Sequence, residues 1–152
     1  MLLICGIVSC TKDNDTTPED ENLVTTSPEE ALITSEILKL VNEYRAEKKL
    51  AALASNEIAD QLAIEHTLYM IAQKKISHDG FSERGDELRA QVNASGFAEN
   101  VASHYRDAAS VVNAWIESDG HRENLEGNYT HIGIAAIKDD DGNYYYTQLF
   151  YL

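Results

Sequence analysis

Four stretches of the chain carry apolar residues at the three-and-four spacing of a buried helix face. Ile33, Ile37, Leu40, Val41 and Tyr44 form the first. Ahead of it, Ser27-Pro28-Glu29-Glu30 supplies an N-cap, a proline at the first helical position and an acid placed to close a capping box, so a helix is predicted to about Lys48. Ser55-Asn56-Glu57 opens a second, with Ile58, Leu62, Ala63, His66, Tyr69 and Met70 on one face. Leu88 and Val92 mark a short third helix over 85–95, stopped by Gly96, and Val111, Val112, Trp115 and Ile116 a fourth over 108–118. The period then changes. Residues 131–137 and 144–152 are rich in β-formers and flank Asp139-Asp140-Asp141-Gly142-Asn143, which reads as a hairpin turn. Helices first and a hairpin last predict an α+β fold rather than a parallel α/β sheet.

The first 26 residues have a different pattern. Leu2 to Val8 is one apolar run, shorter than the ~20 residues that span a bilayer, and reads as the hydrophobic part of a secretory signal. It ends in Ile7-Val8-Ser9-Cys10, an order that resembles the bacterial lipobox, whose cysteine is acylated. Cys10 is therefore the expected lipidation site, the membrane the expected anchor, and the cell envelope the expected location. No basic residue precedes the apolar run, so the start of the complete signal is expected upstream of Met1. Residues 11–26 are acidic and polar and bury too little to offset their ordering entropy, which predicts a solvated linker. The folded domain is expected over 27–152.

Charge and cysteine content narrow the chemistry. With 12 basic and 26 acidic residues in 152, the net charge is -14, which repels phosphate backbones and sets nucleic acid aside as a partner. The chain's two cysteines, Cys5 and Cys10, both precede the domain, which excludes domain disulfides, thiolate zinc sites and a cysteine nucleophile. No G-x-S-x-G elbow, Gly-rich phosphate loop or H-E-x-x-H is present.

The candidate groups are His78, Glu99 and His121, each in a short irregular segment beside Gly or Asn. Two imidazoles and a carboxylate could ligate one divalent cation and leave a position for water; without metal they could orient a water or a polar head group, or be three unrelated loop residues. His66 lies on an apolar helix face and is expected to be a hydrogen-bonded core histidine. His104 and His131 read as surface or strand positions. Asp139-x-Asp141-x-Asn143 alternates like a calcium loop but lacks the closing Glu, so a solvated turn is expected.

Taken together, Val41-Asn42-Glu43-Tyr44-Arg45, the Leu53 segment that opens the second helix, Ser77-His78, Ala98-Glu99-Asn100-Val101-Ala102, Trp115-Ile116-Glu117-Ser118, Gly120-His121-Arg122-Glu123-Asn124-Leu125, Ile132-Gly133-Ile134-Ala135 and Tyr146-Thr147-Gln148-Leu149-Phe150 resemble the CAP superfamily in its cysteine-poor bacterial SCP-domain branch. The resemblance implies an α-β-α sandwich with a small antiparallel sheet between helices. It also implies a cleft of two His and two acids that can hold a divalent metal such as zinc. By motif, His78 and Glu99 take two of those positions. Ala98 stands where the family has Gly, and Ser118 and Tyr145 stand where the eukaryotic branch has its second acid and second His. His121, in the bacterial His-Arg element, is the expected replacement. The resemblance does not fix the function. A hydrolase needs a full ligand set or an oxyanion stabiliser, and two of the family's four cleft positions are lost, which favours a binding module for a cell-envelope, lipid or glycan ligand. The alternative is a weak metal-dependent hydrolase with a cation on His78 and His121 and Glu99 as base.

Overall fold

Residues 26–152 are described by a computed structural model; the expected signal, Cys10 and nearly all of the acidic linker lie outside them. Helix α1 (Pro28–Glu47) begins on the predicted capping box, with Ser27 Oγ accepting from Glu30 N–H at 3.3 Å and Glu30 Oε2 accepting from Ser27 N–H at 2.7 Å. A two-residue strand, β1 (Ala54–Ser55), leads into α2 (Glu57–Gln73), capped by Asn56, whose side chain accepts from Ala59 N–H. Then follow α3 (Phe81–Val92), β2 (Phe97–Ser103), α4 (Ala108–Glu117), α5 (Asp119–Leu125) and the hairpin β3 (His131–Lys138) and β4 (Tyr144–Tyr151).

The strands form one sheet in the order β1-β3-β4-β2. β4 pairs antiparallel with both β3 and β2, while β1 pairs parallel with β3, so the sheet is mixed rather than purely antiparallel. On one face, Ile132, Ile134, Tyr146 and Phe150 pack with Ile37 and Val41 of α1 and Val111, Val112 and Trp115 of α4. On the other, Ala135 and Leu149 pack with Ala59, Leu62 and Ala63 of α2 and Leu88 of α3. This is an α-β-α sandwich. Every residue of β4 is buried, as expected for a central strand covered on both faces.

Two helix boundaries differ from expectation. α3 starts at Phe81 rather than Gly85, because Gly80 takes a left-handed conformation (φ +72°) and turns the chain straight into the helix. It stops at Asn93, whose φ of +55° fills the left-handed role assigned to Gly96. The pattern of apolar positions also gave no sign of β1, β2 or α5. The hairpin turn is closed as predicted: Asp139 Oδ1 accepts from Asn143 N–H and Asp141 N–H, so that carboxylate serves the turn itself.

Candidate functional site

β2 is an edge strand, and its alternation divides the site. Phe97 and Val101 pack toward α2 and α3, whereas Ala98 and Ala102 pack toward α1 and α4. Glu99 shares the side of Phe97 and meets residues from α2, α3 and the loop between them, while Asn100 turns to the opposite side.

The Glu99 side chain has no exposed surface and is held by three partners. Arg84 in the first turn of α3 binds it as a fork, Nε donating to Oε2 at 2.7 Å and Nη2 to Oε1 at 2.9 Å. The third arm of the same guanidinium, Nη1, donates to Asp79 O at 2.7 Å and so pins the loop that carries His78. His78 Nδ1 lies 2.7 Å from Glu99 Oε1. Since a carboxylate accepts, Nδ1 carries the proton, and in the neutral imidazole Nε2 is left as an acceptor. The His78 side chain is 55% exposed, so this acceptor is available to solvent or a ligand.

His66 completes the group from α2. Its Nε2 donates to Ser77 O at 2.8 Å and stands 3.7 Å from Glu99 Oε1. Burial holds its pKa below the ordinary histidine value, and the charge of Glu99 works against that shift. The expectation of a buried, hydrogen-bonded histidine is met, yet the residue also stands at the site. Arg84 is the other site residue that sequence reasoning missed. Its signal was present: an arginine six residues after His78, near the start of an amphipathic helix, is placed to meet a buried acid.

His121 is not joined to this cluster. It lies on α5 and lines a separate hollow of about 240 Å³ with Trp115, Val101 and Ser118. Its backbone carbonyl accepts from Asn100 Nδ2 at 3.2 Å. Its pKa is lowered, first by burial and then by the charge of His78, which places the two imidazoles within electrostatic reach. A chain of amides fastens α5 to the sheet edge: Asn124 Nδ2 donates to Glu99 O and Asn100 Oδ1, and Asn100 Nδ2 also donates to Gln148 Oε1. Gln148 Nε2, at the inner end, has no partner among the described residues.

His78 opens instead onto a cleft of about 430 Å³ lined by Phe81, Phe97, Glu99, Asn124 and Tyr129. The Phe81 and Phe97 rings pack with centroids 4.5 Å apart. Phe97 lies where a Cβ on Gly85 would be, so only glycine in α3 lets the ring settle there. Burial raises the Tyr129 phenol pKa, which keeps the O–H as a hydrogen-bond donor at neutral pH.

The implied divalent metal does not fit this donor set. Both oxygens of Glu99 are committed to a guanidinium, His78 Nδ1 presents a proton to Glu99, and His121 faces the other hollow. Among the described residues, no three His, Cys, Asp or Glu side chains are grouped so as to hold a metal ion.

Comparison with known proteins agrees with this architecture. Residues 38–150 match the sequence profile of the cysteine-rich secretory protein family, CAP. The chain is 31% identical over 121 residues to the uncharacterised membrane protein YlbC of Bacillus subtilis, covering 76% of this chain and 33% of that one. It is 26% identical to YkwD of the same organism, covering 49% of that protein, so it spans a third to a half of these relatives. Among solved structures, an extracellular SCP-domain protein from Bacillus anthracis superposes with a TM-score of 0.69 at 29% identity, covering 84% of this chain and 44% of that one. An outer surface protein from Borrelia burgdorferi has a TM-score of 0.69 at 23% identity, covering 77% of this chain and 90% of that one. With eight sequence motifs in family order, a matched α-β-α sandwich and a profile that spans most of the chain, this protein belongs to the cysteine-rich secretory protein (CAP) family.

Proposed function

We propose that this CAP domain is a binding module of the bacterial cell envelope, tethered through lipidated Cys10, whose cleft at His78 receives the hydroxyl groups of an envelope glycan. The observation that carries the reading is the hydrogen bond from His78 Nδ1 to a buried, arginine-held carboxylate. It fixes the tautomer and leaves Nε2 as a half-exposed acceptor, the group that a sugar O–H satisfies. Phe81, Phe97 and Tyr129 supply apolar ring surface beside it, and the Tyr129 hydroxyl adds a donor. Apolar walls with a few fixed polar groups are what orient a small ligand in a cleft. Recognition through hydroxyl groups rather than through negative charge also suits a chain of net charge -14. The names of the extracellular and outer-surface relatives support a location outside the cytoplasm. No helix among the described residues is long and apolar enough to cross a membrane.

Titrating the protein with soluble cell-wall fragments released by muramidase, and separately with dihexanoyl phosphatidylglycerol, tests the ligand class by NMR. The fragments are expected to shift the His78 ring and the amides of Phe97 and Tyr129, and His78→Ala is expected to abolish those shifts. A lipid response at the cleft with none from the fragments would replace glycan by lipid; no response to either would remove the binding reading. Palmitate labelling of the full chain but not of Cys10→Ala is expected for the anchor.

A further inference from the structure

Glu99 already holds a resident cation, and we infer that Arg84 is the specificity-determining residue that closes this site to divalent metals. The geometry points there in three steps. First, the carboxylate most suited to a metal, Glu99, has both oxygens in the arginine fork, at 2.7 and 2.9 Å. A zinc ion needs a carboxylate oxygen at about 2.0–2.2 Å, along directions that the guanidinium N–H groups now occupy. Second, the guanidinium is fixed. Its remaining arm holds Asp79 O at 2.7 Å, and its side chain is only 10% exposed, so it cannot swing into solvent to make way. A doubly charged ion at Glu99 would have to sit against this fixed positive charge with little water between them.

Third, without the arginine Glu99 would be free to recruit the two imidazoles beside it to a cation, although as they stand these side chains are not set as a metal site. Two ring nitrogens converge on Glu99 Oε1, His78 Nδ1 at 2.7 Å and His66 Nε2 at 3.7 Å. Two imidazoles and a carboxylate are a sufficient protein ligand set for zinc, and each neutral imidazole would bind through the nitrogen now facing Glu99, its proton carried by the other ring nitrogen. Arg84 thus turns a latent ligand cluster into a neutralised, hydrogen-bonded support for His78. The geometric fork is specific to arginine; lysine would bring a point charge but not two parallel donors. The inference concerns which cation the site tolerates, and it holds whatever ligand the cleft receives.

Zinc chloride added to the full chain, to Arg84→Met and to the double variant Arg84→Met with Glu99→Gln separates the possibilities by calorimetry and by ¹H–¹⁵N spectra of the histidine rings. In the wild type, excess zinc is expected to leave the His78 and His66 ring signals unmoved. Arg84→Met is expected to bind zinc roughly tenfold or more tightly than wild type, about 1.4 kcal/mol, with both ring signals shifted. The added Glu99→Gln is expected to remove that gain. Zinc moving the His78 ring in the wild type overturns the inference, as does a folded Arg84→Met that binds zinc no better. If Arg84→Met does not fold, Arg84→Gln, which keeps a hydrogen bond but no charge, carries the same expectation. None of these outcomes depends on whether cell-wall fragments bind, so the two readings fail separately.

Discussion

Glu99 and Arg84 form an ion pair removed from solvent, and the consequences of breaking it are large because the surviving charge has nowhere to go. Glu99→Gln leaves the guanidinium buried without its counter-charge and is expected to cost about 3–5 kcal/mol in urea unfolding. His66 makes the same neighbourhood sensitive to pH. Burial lowers its pKa in the fold below the ordinary value of 6.5, so the unfolded chain takes up the proton first. Stability is then fully present above that ordinary value and declines as pH falls through it, by at most about 1.4 kcal/mol per pH unit for one group. His121 is shifted the same way and adds to the slope. The urea midpoint of wild type is expected to fall between pH 7 and pH 5 more steeply than that of His66→Gln, which keeps a donor for Ser77 O. Equal slopes would remove His66 from the account.

The elements meet most closely where α2 crosses the sheet. Gly133 in β3 lies against the backbone of Ala59 and Asp60, and a Cβ there would overlap main-chain atoms that cannot rotate away. Asp60 strengthens the same junction, its Oδ1 accepting from Ile134 N–H at 2.8 Å and its Oδ2 from Ser55 Oγ. Gly133→Ala is therefore expected to destabilise by about 1–3 kcal/mol or more through forced separation of helix and strand, measured as a drop in unfolding free energy. At the other end of α1, Arg45 does similar work without any carboxylate. It is buried and donates to the carbonyls of Ala51, Leu125 and Gly127, fixing the segment after α5 that carries Tyr129 to the cleft.

For the molecule as a whole, the larger apolar cluster depends on Trp115, which is 1% exposed and set edge-on to Tyr146. Trp115→Ala is expected to cost about 3–5 kcal/mol by leaving a cavity between α4 and the sheet. No cysteine lies among the described residues, so stability rests on this core. The thermal midpoint is expected to be unchanged by a reductant and by a chelator; a fall on chelation would mean that a structural metal contributes.

The α1, α2 and α4 helices were legible because each buries a regular face that a period of 3.6 records, and the closing hairpin because its buried strands read as continuous runs of β-formers around a turn. β2 was not. It is buried on both sides of the sheet, and its Glu99 and Asn100 are interior polar residues that break any apolar run. α5 is short and mostly polar, held at the sheet edge by amide contacts rather than by an apolar stripe. The same division runs through the site. Residue type and motif order were enough to select His78 and Glu99, since their chemistry is local to the side chain. Which groups stand around Glu99 was decided only in three dimensions. Arg84, His78 and His66 come from a helix start, a loop and the middle of another helix, while His121 lies across the edge strand in a second hollow. Sequence spacing carries no record of that arrangement, because it arises from how α2 and α3 pack on one face of β2 and α5 closes over its edge.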